Sequence, residues 1–244
     1  MKQVLYTLES NEPLAASVYR MVLAGDTSAI TAPGQFVNLQ LPGRYLRRPI
    51  SVCDVEDNRL TLIYKTVGAG TEQLSHTIPG EKIDALTGLG NGYDLTPAGA
   101  APVLLGGGVG VPPLYLLAKR LREAGHTVTV CLGFNRSDEV FYESEFAALG
   151  CEVRVATVDG SHGRKGFVTD ILPESPTHYY ACGPLPMLRA VYGALSCSGQ
   201  LSFEARMGCG FGACMGCTMK TVNGYKRVCA DGPVLRKEEI LWEG

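Results

Sequence analysis

Residues 101–121 read APVLLGGGVGVPPLYLLAKRL, which joins an apolar run, a group of glycines and an amphipathic segment. The apolar run predicts a buried β-strand, and the segment after the two prolines predicts an α-helix. Gly108, Gly110 and Pro113 give the pattern G-x-G-x-x-P, which is the dinucleotide-binding fingerprint with proline in place of the third glycine. Glycines let the main chain approach a pyrophosphate, and proline suits the first turn of a helix whose N-terminus favours anions. The stretch therefore predicts a nucleotide site between a strand and a helix.

The alternation of strands and helices continues downstream of this stretch. Strands are predicted in HTVTVCLGF, CEVRVATVD and THYYACG, and a helix is predicted in VFYESEFAALG. This alternation is typical of a doubly wound parallel sheet, so we assign residues 98–201 to one α/β domain. The turn Cys182-Gly183-Pro184 is expected at the sheet edge that carries the glycine loop, where such folds bind ligands. Simple packing of the Cys182 side chain explains that cysteine equally well.

Residues 1–97 have a different pattern, in which short β segments are separated by Pro, Gly and Asp turns. Examples are QFVNLQL (35–41) and RLTLIYKTV (59–67). Short strands with these turns predict a small antiparallel β-barrel. The expected architecture is therefore β + α/β, with the barrel first and the parallel sheet second.

Two segments of the barrel are candidates for binding phosphate. In RYLRRPISV (44–52), Arg48 at a strand end and a hydroxyl three residues later can hold a phosphate. A solvated basic turn explains these residues equally well. In IYKTVGAGTEQL (63–74), a helix is predicted to begin at Gly70-Thr71, which makes Thr71 a candidate N-cap beside free amides. Two anion sites beside a β surface suit a dinucleotide such as FAD.

Residues 202–244 keep neither strand nor helix spacing, and cysteine and glycine dominate their first half. Four cysteines have the spacing C-x4-C-x2-C…C that is typical of plant-type [2Fe-2S] proteins. They are Cys209, Cys214, Cys217 and Cys229. The glycines among them allow tight wrapping and bring N–H groups close to the sulfurs. A structural zinc site is the alternative, although zinc modules more often use two C-x2-C pairs and this segment has one.

The remaining cysteines and the histidines fit no motif. A hairpin is expected in TMKTVNGYKRVCA, with its turn at Asn223-Gly224. Five scattered cysteines are interpreted as small buried hydrophobes: Cys53, Cys131, Cys151, Cys182 and Cys197. Four histidines are expected to have surface or packing roles: His76, His126, His162 and His178.

The composition excludes several classes of partner. The 244 residues have a formal net charge of -2, which gives no broad basic field for nucleic acid or anionic membranes. No apolar run approaches the length of a membrane span, and the N-terminal residues lack the pattern of a signal peptide. An odd count of nine cysteines argues against a disulfide framework. We therefore expect a cytoplasmic protein in which clustered cysteines hold metal.

The motifs together resemble those of the ferredoxin reductase family of flavoproteins, in which an FAD-binding barrel precedes an NAD(P)H-binding domain. RPIS (48–51), G-x-G-x-x-P and CGP carry this resemblance. Within the family, LGNGYD (89–94), EARMGCGFGACMGC (204–217) and VCADGP (228–233) resemble the electron transfer subunits of B-type dihydroorotate dehydrogenases. The resemblance covers essentially the whole chain and implies three parts: an FAD barrel, an NAD(H) domain and a C-terminal [2Fe-2S] module.

The resemblance also implies the residues of each site. The implied FAD contacts are Arg48, Pro49, Ile50, Ser51, Ile63, Tyr64, Lys65, Gly70 and Thr71. The implied nicotinamide-side residues are Gly108, Gly110, Cys182, Gly183 and Pro184. The implied cluster ligands are the four cysteines Cys209, Cys214, Cys217 and Cys229.

The function that the resemblance implies is electron transfer without a catalytic acid or base. NADH would give hydride to FAD, and single electrons would pass through the cluster to or from the FMN of a separate dihydroorotate dehydrogenase catalytic subunit, in pyrimidine (UMP) biosynthesis. Two copies of each subunit would form a heterotetramer. The alternatives are the reductase subunit of a hydrogenase, sulfide or ferredoxin:NAD(P)H complex, and a zinc-stabilised nucleotide-binding module without redox activity.

The choice between NADH and NADPH depends on FNRSDEVF (134–141), which follows the second strand of the α/β domain. Arg136 and Ser137 are suitable partners for a 2′-phosphate, whereas Asp138 and Glu139 would repel one. The resemblance favours NADH.

Overall fold

The computed structural model describes residues 1–242, and its N-terminal part is a closed antiparallel β-barrel. The strands follow one another around the barrel in the order β1-β2-β5-β4-β3-β6. Their bounds are β1 Lys2–Ala15, β2 Val18–Ala24, β3 Phe36–Leu39, β4 Arg48–Glu56, β5 Arg59–Lys65 and β6 Lys82–Leu89. Along β5 the side chains alternate, so that Leu60, Leu62 and Tyr64 point into the barrel core. The barrel predicted from the turn pattern is confirmed.

The other strands form a seven-stranded sheet and a two-stranded hairpin. The sheet has the order β10-β9-β8-β7-β11-β12-β15, and its pairs are parallel except for β12 and β15. The bounds are β7 Val103–Gly107, β8 Thr129–Phe134, β9 Glu152–Thr157, β10 Arg164–Lys165, β11 Tyr179–Cys182, β12 Gly199–Ser202, β13 Thr218–Thr221, β14 Gly224–Arg227 and β15 Val234–Arg236. The predicted parallel sheet is confirmed, and its last strand comes from the cysteine-rich segment.

Four α-helices accompany these strands in the part of the chain that the structure describes. They are α1 Ala69–Ser75, α2 Pro113–Glu123, α3 Glu143–Ala148 and α4 Leu185–Ala194. Helix α2 begins with proline at its first position, as the sequence predicts. None of the helices within residues 1–242 is both long enough and apolar enough to cross a membrane.

The hairpin in the cysteine-rich segment turns one residue earlier than predicted. Thr221 pairs with Gly224, so the two loop residues are Val222 and Asn223. Gly224 has a φ of +107° and begins the returning strand, a conformation that glycine adopts without steric cost. The Thr221 hydroxyl also donates to the Gly224 carbonyl at 2.9 Å. The Asn-Gly pair therefore predicts the hairpin correctly, but Gly224 is the first residue of the second strand and not a turn residue.

The barrel is fixed to the sheet by the segment that connects them. The Tyr93 hydroxyl donates to the Ala181 carbonyl at 3.1 Å, at the centre of the sheet. Asp94 exchanges two main-chain hydrogen bonds with the Gln200 side chain, at 2.8 and 2.6 Å. The Tyr180 hydroxyl donates to the same Asp94 carbonyl at 3.1 Å. These bonds fix the segment that follows β6 against strands β11 and β12 of the sheet.

Candidate functional site

The first candidate site lies between the start of β4 and the first turn of α1. A Cβ placed on Gly70 would lie 2.5 Å from Nη2 and 2.6 Å from Cζ of Arg48, so the guanidinium fills the space that glycine leaves. The amides of a helix's first turn have no intrahelical acceptor. Arg48 and the start of α1 thus present positive charge and N–H donors to the same point. This donor set fits a pyrophosphate, the central group of FAD.

Thr71 does not occupy the predicted N-cap position. Helix α1 starts at Ala69 after Gly68, so Thr71 is the third helical residue. Its hydroxyl reaches back and accepts N–H bonds from Val67 at 2.9 Å and Gly68 at 3.3 Å. The prediction of Thr71 as N-cap is wrong because Gly68, whose backbone is extended, is the N-cap and the helix begins at Ala69, one residue before Gly70. Thr71 still orders the chain that leads into the helix.

The candidate flavin residues of β4 and β5 divide between the two faces of the barrel. Pro49 pairs with Asn38, and Ser51 pairs with Phe36, on the outer face. Ile50 packs against the barrel core instead. Pro49 and Ser51 therefore present their side chains to the outer face, because successive residues of a strand point to opposite faces.

In β5 the same alternation separates the three candidate residues. Ile63 packs into the core of the α/β domain, while Tyr64 stacks on Tyr19 with ring centres 5.8 Å apart. The Tyr64 hydroxyl donates to Asn11 at 2.8 Å, inside the barrel. Tyr64 therefore offers only its main chain to the outer face. Lys65 follows on that face and reaches Glu139 of the α/β domain, with a distance of 3.9 Å between Nζ and Oε1.

The two candidate nicotinamide motifs are in direct contact. A Cβ on Gly110 would lie 2.6 Å from the Gly183 Cα and closer still to the Cys182 carbonyl group. The glycine loop and the CGP turn therefore form one surface at the carboxyl ends of β7 and β11. Gly108 has a φ of +51°, and a Cβ there would meet open space. Burial raises the pKa of the Cys182 thiol to about 12, so this side chain is neutral and acts in packing.

The flavin and nicotinamide residues meet at a narrow crevice between the barrel and the sheet. Lys65 and Gly108 line the same small cavity, together with Phe134 and Glu139. Beside it, the Ala16 amide donates to the Asp138 carbonyl at 3.1 Å. The Arg136 guanidinium, a candidate partner for a 2′-phosphate, is paired with the Asp138 carboxylate at 2.9 Å. The acidic side chain thus competes for the cation that NADPH would need.

The four candidate ligand cysteines form two pairs. The amides of Ala213 and Cys214 donate to the Cys209 sulfur at 3.2 and 3.4 Å, which joins Cys209 to Cys214. The Cys229 amide donates to the Cys217 sulfur at 3.4 Å, which makes the second pair. Cys214 is exposed, whereas Cys217 and Cys229 are buried. One pair therefore faces outward and the other faces the protein interior.

Electrostatics around the sulfurs suits metal binding. Partial burial opposes ionisation of Cys209, but the amides of Cys214, Phe211 and Ala213 outweigh it and lower the pKa to about 6. Burial and then the neighbouring Cys217 thiol raise the pKa of Cys229 to about 12. A bound cation would favour deprotonation of Cys229, and binding of metal would release its proton.

The pairing of the sulfurs distinguishes the two candidate metal groups. A zinc ion needs its four ligands around one centre. A [2Fe-2S] cluster has two irons and takes its four thiolates from the protein. Two cysteine pairs fit the iron–sulfur cluster better than they fit zinc.

Two contacts that hold the cysteine loop were missed by the sequence reasoning. Arg227 donates to the Gly212 carbonyl at 2.9 Å and forms an ion pair with Asp231, also at 2.9 Å. Asn38 of β3 donates to the Cys209 carbonyl at 3.2 Å. The spacing of Arg227 and Asp231 was available as a weak signal, because residues four apart often pair. Nothing in QFVNLQL identifies Asn38.

Comparison with known proteins agrees with this arrangement. Residues 204–241 match the iron-sulfur cluster binding domain of dihydroorotate dehydrogenase B, and residues 104–192 match the oxidoreductase NAD-binding domain. A solved structure of an NADH-dependent reduced ferredoxin-NADP oxidoreductase superposes with a TM-score of 0.89 at 30% identity, over 98% of this chain and 90% of that one. The fold expected from the ferredoxin reductase resemblance is thus confirmed.

Curated relatives extend the similarity over the full length. The chain is 44% identical to the dihydroorotate dehydrogenase B (NAD(+)) electron transfer subunit of Fusobacterium nucleatum subsp. nucleatum, with 96% of each chain covered. It is 46% identical to the protein of the same name from Geobacillus sp. (strain WCH70), with 99% of each chain covered. The chain therefore belongs to the family of dihydroorotate dehydrogenase B electron transfer subunits.

Proposed function

We propose that the chain takes hydride from NADH onto FAD and passes single electrons through a [2Fe-2S] cluster to or from the FMN of a dihydroorotate dehydrogenase catalytic subunit. This reaction would serve pyrimidine (UMP) biosynthesis. The observation that carries the proposal is the junction of three candidate sites around the outer face of β3, β4 and β5. Lys65 and Gly108 line one crevice there, and Asn38 reaches the cysteine loop from the same face.

In this proposal the protein contributes placement. FAD supplies two-electron chemistry with NADH, and the cluster supplies one-electron chemistry. Arg48 and the first turn of α1 would hold the pyrophosphate. Pro49 and Ser51, on the outer face of β4, would lie along the flavin ring. No group needs to donate or accept a proton, so we assign no catalytic acid or base.

The same reasoning assigns the other residues in groups. Gly108, Gly110 and the Cys182-Gly183-Pro184 turn would receive the nicotinamide, because they form one surface beside Lys65. The cysteine pairs would each hold one iron. We further propose that residues 1–97, 98–201 and 202–244 act as flavin, nucleotide and cluster units. We place the reaction in the cytoplasm, where reducing conditions keep cysteines available for metal.

The face that meets the catalytic partner would be the outward side of the cysteine loop. Cys214 is exposed there, and Phe211 and Met215 expose 47% and 54% of their surfaces. Exposed apolar side chains next to a redox centre suit a protein interface, since burial of those side chains brings the partner close. The name that the curated relatives share, electron transfer subunit, supports a separate catalytic partner. Its FMN and a heterotetramer of two copies of each subunit are parts of this proposal.

Two alternatives make different predictions. The first alternative is a reductase subunit of a hydrogenase, sulfide or ferredoxin:NAD(P)H complex. The 30% identical oxidoreductase structure supports it, and in that case only the protein that exchanges electrons with the cluster would differ. A zinc-stabilised binding module without redox activity is disfavoured by the two separate cysteine pairs.

The test begins with anaerobic purification and assays of iron, zinc and flavin on one sample, with absorption spectra before and after NADH. We expect flavin and iron bands that bleach with NADH. A colourless protein that contains zinc would refute the proposal. The second step adds a purified FMN-containing dihydroorotate dehydrogenase catalytic subunit and orotate. NADH oxidation that depends on both additions supports the assigned partner, whereas reduction of ferredoxin without orotate reduction would favour the alternative complex.

A further inference from the structure

One side chain of the barrel contacts the cysteine loop at its first candidate ligand. Asn38 lies on β3 with its side chain on the outer face, and Nδ2 donates to the Cys209 carbonyl at 3.2 Å. The contact joins residues 171 positions apart in sequence. Phe36, two residues earlier on the same face, belongs to the apolar cluster that contains Cys217 and Cys229. The outer face of β3 therefore packs directly against the cysteine module.

The buried environment of Asn38 is unfavourable for an amide side chain unless that amide makes a functional contact. Its side chain is 1% exposed, and Oδ1 is buried without a hydrogen-bond partner among residues 1–242. A buried polar atom without a hydrogen-bond partner destabilises the folded state. An apolar residue would avoid this cost, and the flanking residues Val37 and Leu39 are apolar. The amide is thus not explained by stability of the barrel.

The cysteine loop is shaped to receive this amide. Gly210 has a φ of +81°, and a Cβ on it would overlap Asn38 Nδ2. Any other residue at this position would push the amide away from Cys209. On the other side, Asn38 pairs with Pro49 of the candidate flavin strand. One residue therefore connects the strand that faces the flavin with the loop that holds the first cysteine pair.

We propose that Asn38 is a positioning residue that fixes the Cys209 loop against the flavin strand and thereby sets the potential and the retention of the cluster. This inference rests on the proposed function. The bond to the Cys209 carbonyl orients the following turn, whose amides at Ala213 and Cys214 donate to the Cys209 sulfur. N–H bonds to cluster sulfurs stabilise the reduced state and so raise the reduction potential.

The test compares three variants of the full chain with bound cofactors. Asn38→Leu removes the donor at similar volume, whereas Asn38→His restores an N–H donor at the same distance from Cβ. Gln40→Ala is the matched control, because its amide donates to the Arg44 carbonyl at 2.9 Å within the barrel and not to the cysteine loop. The readouts are the midpoint potential and EPR signal of the reduced cluster, the rate of iron release to a chelator, and the thermal midpoint of the protein.

We expect Asn38→Leu to shift the midpoint potential to more negative values and to accelerate iron release by about 10-fold, as loss of an outer contact of a metal site typically does. Its thermal midpoint should stay near that of the wild type, since the orphan oxygen is removed as well. Asn38→His should recover the potential, and Gln40→Ala should leave it unchanged. An unshifted potential and EPR signal in Asn38→Leu would overturn the inference, whereas a wild-type chain without iron or flavin would overturn the proposed function instead.

Discussion

Gly110→Ala tests whether the glycine loop and the CGP turn form the nicotinamide site. The added Cβ would lie 2.6 Å from the Gly183 Cα, whereas ordinary contacts begin at 3.4 Å. The obstacle is main chain at the end of a central strand, which cannot rotate away as a side chain can. The glycine loop and the CGP turn must therefore separate by roughly 1 Å. Because protein interiors are packed as densely as organic crystals, neighbouring residues have to shift as well.

The size of the effect follows from this displacement. Overpacking of a core site costs about 1–3 kcal/mol. For a chain of this size, each kcal/mol lowers the thermal midpoint by about 2–4 °C. A misplacement of about 1 Å between reacting groups lowers a rate by about 100-fold. We therefore expect a moderately destabilised protein that keeps its flavin and iron but is reduced by NADH about 100-fold more slowly.

The assay is stopped-flow reduction of the flavin by NADH, followed by absorbance. Dithionite reduction of the same sample controls for damage to the flavin itself. Gly193→Ala in α4 is the matched variant, because a Cβ there meets nothing within 4 Å. It should keep the wild-type rate and be slightly more stable, since alanine in a helix is favoured over glycine. A wild-type rate and NADH affinity in Gly110→Ala would refute the assignment of this surface.

Three further predictions concern the cluster, the flavin and stability against pH. Cys217→Ser should remove the iron while flavin stays bound, as measured by iron and flavin assays; joint loss of both would contradict separate sites. Arg48→Ala should weaken FAD binding by about 10- to 100-fold, since a hydrogen bond to a charged group contributes about 1.5–3 kcal/mol; stoichiometric FAD after gel filtration would count against it. Burial lowers the pKa of His178 below 6.5, and Gln200 donates to its Nε2, so the folded state holds this ring neutral. The unfolded chain therefore takes up the proton first as pH falls through 6.5, and the unfolding free energy should fall below that pH but less steeply in His178→Gln. Equal pH profiles in thermal melts would contradict this.

The parts of the fold that the sequence predicts are those with local causes. The apolar run, the glycines and the two prolines of residues 101–121 each favour one local conformation, and β7 and α2 form where these residues predict them. Thr71 shows where a local pattern is insufficient. Both Gly68 and Thr71 are possible N-cap residues for this short helix, and the backbone conformation at Gly68 decides that the helix begins directly after Gly68. The cysteine spacing likewise indicates the metal group, but the division into two pairs appears only in the folded loop.

Contacts between distant segments had no sequence signal. Lys65 and Glu139 meet across the crevice although each looks like an ordinary surface charge in the sequence. Asn38 reads as one polar residue in a strand. Their roles follow from how the barrel sits on the sheet, which depends on Tyr93 and Asp94 and not on residues beside them. Such placements depend on tertiary packing, which no local pattern encodes.

The cysteine module illustrates why its placement matters for electron transfer. Its hairpin has two strands of four residues, which are marginally stable by themselves. Its buried residues, such as Val228 and Cys229, share one apolar cluster with Phe36 of the barrel and Leu201 of the sheet. The module therefore has no separate core, and both larger units determine where its sulfurs lie. Loss of the cluster should then disturb the loop but leave the barrel and sheet intact, whereas a change on the outer face of β3 can reach the cluster without contacting a ligand.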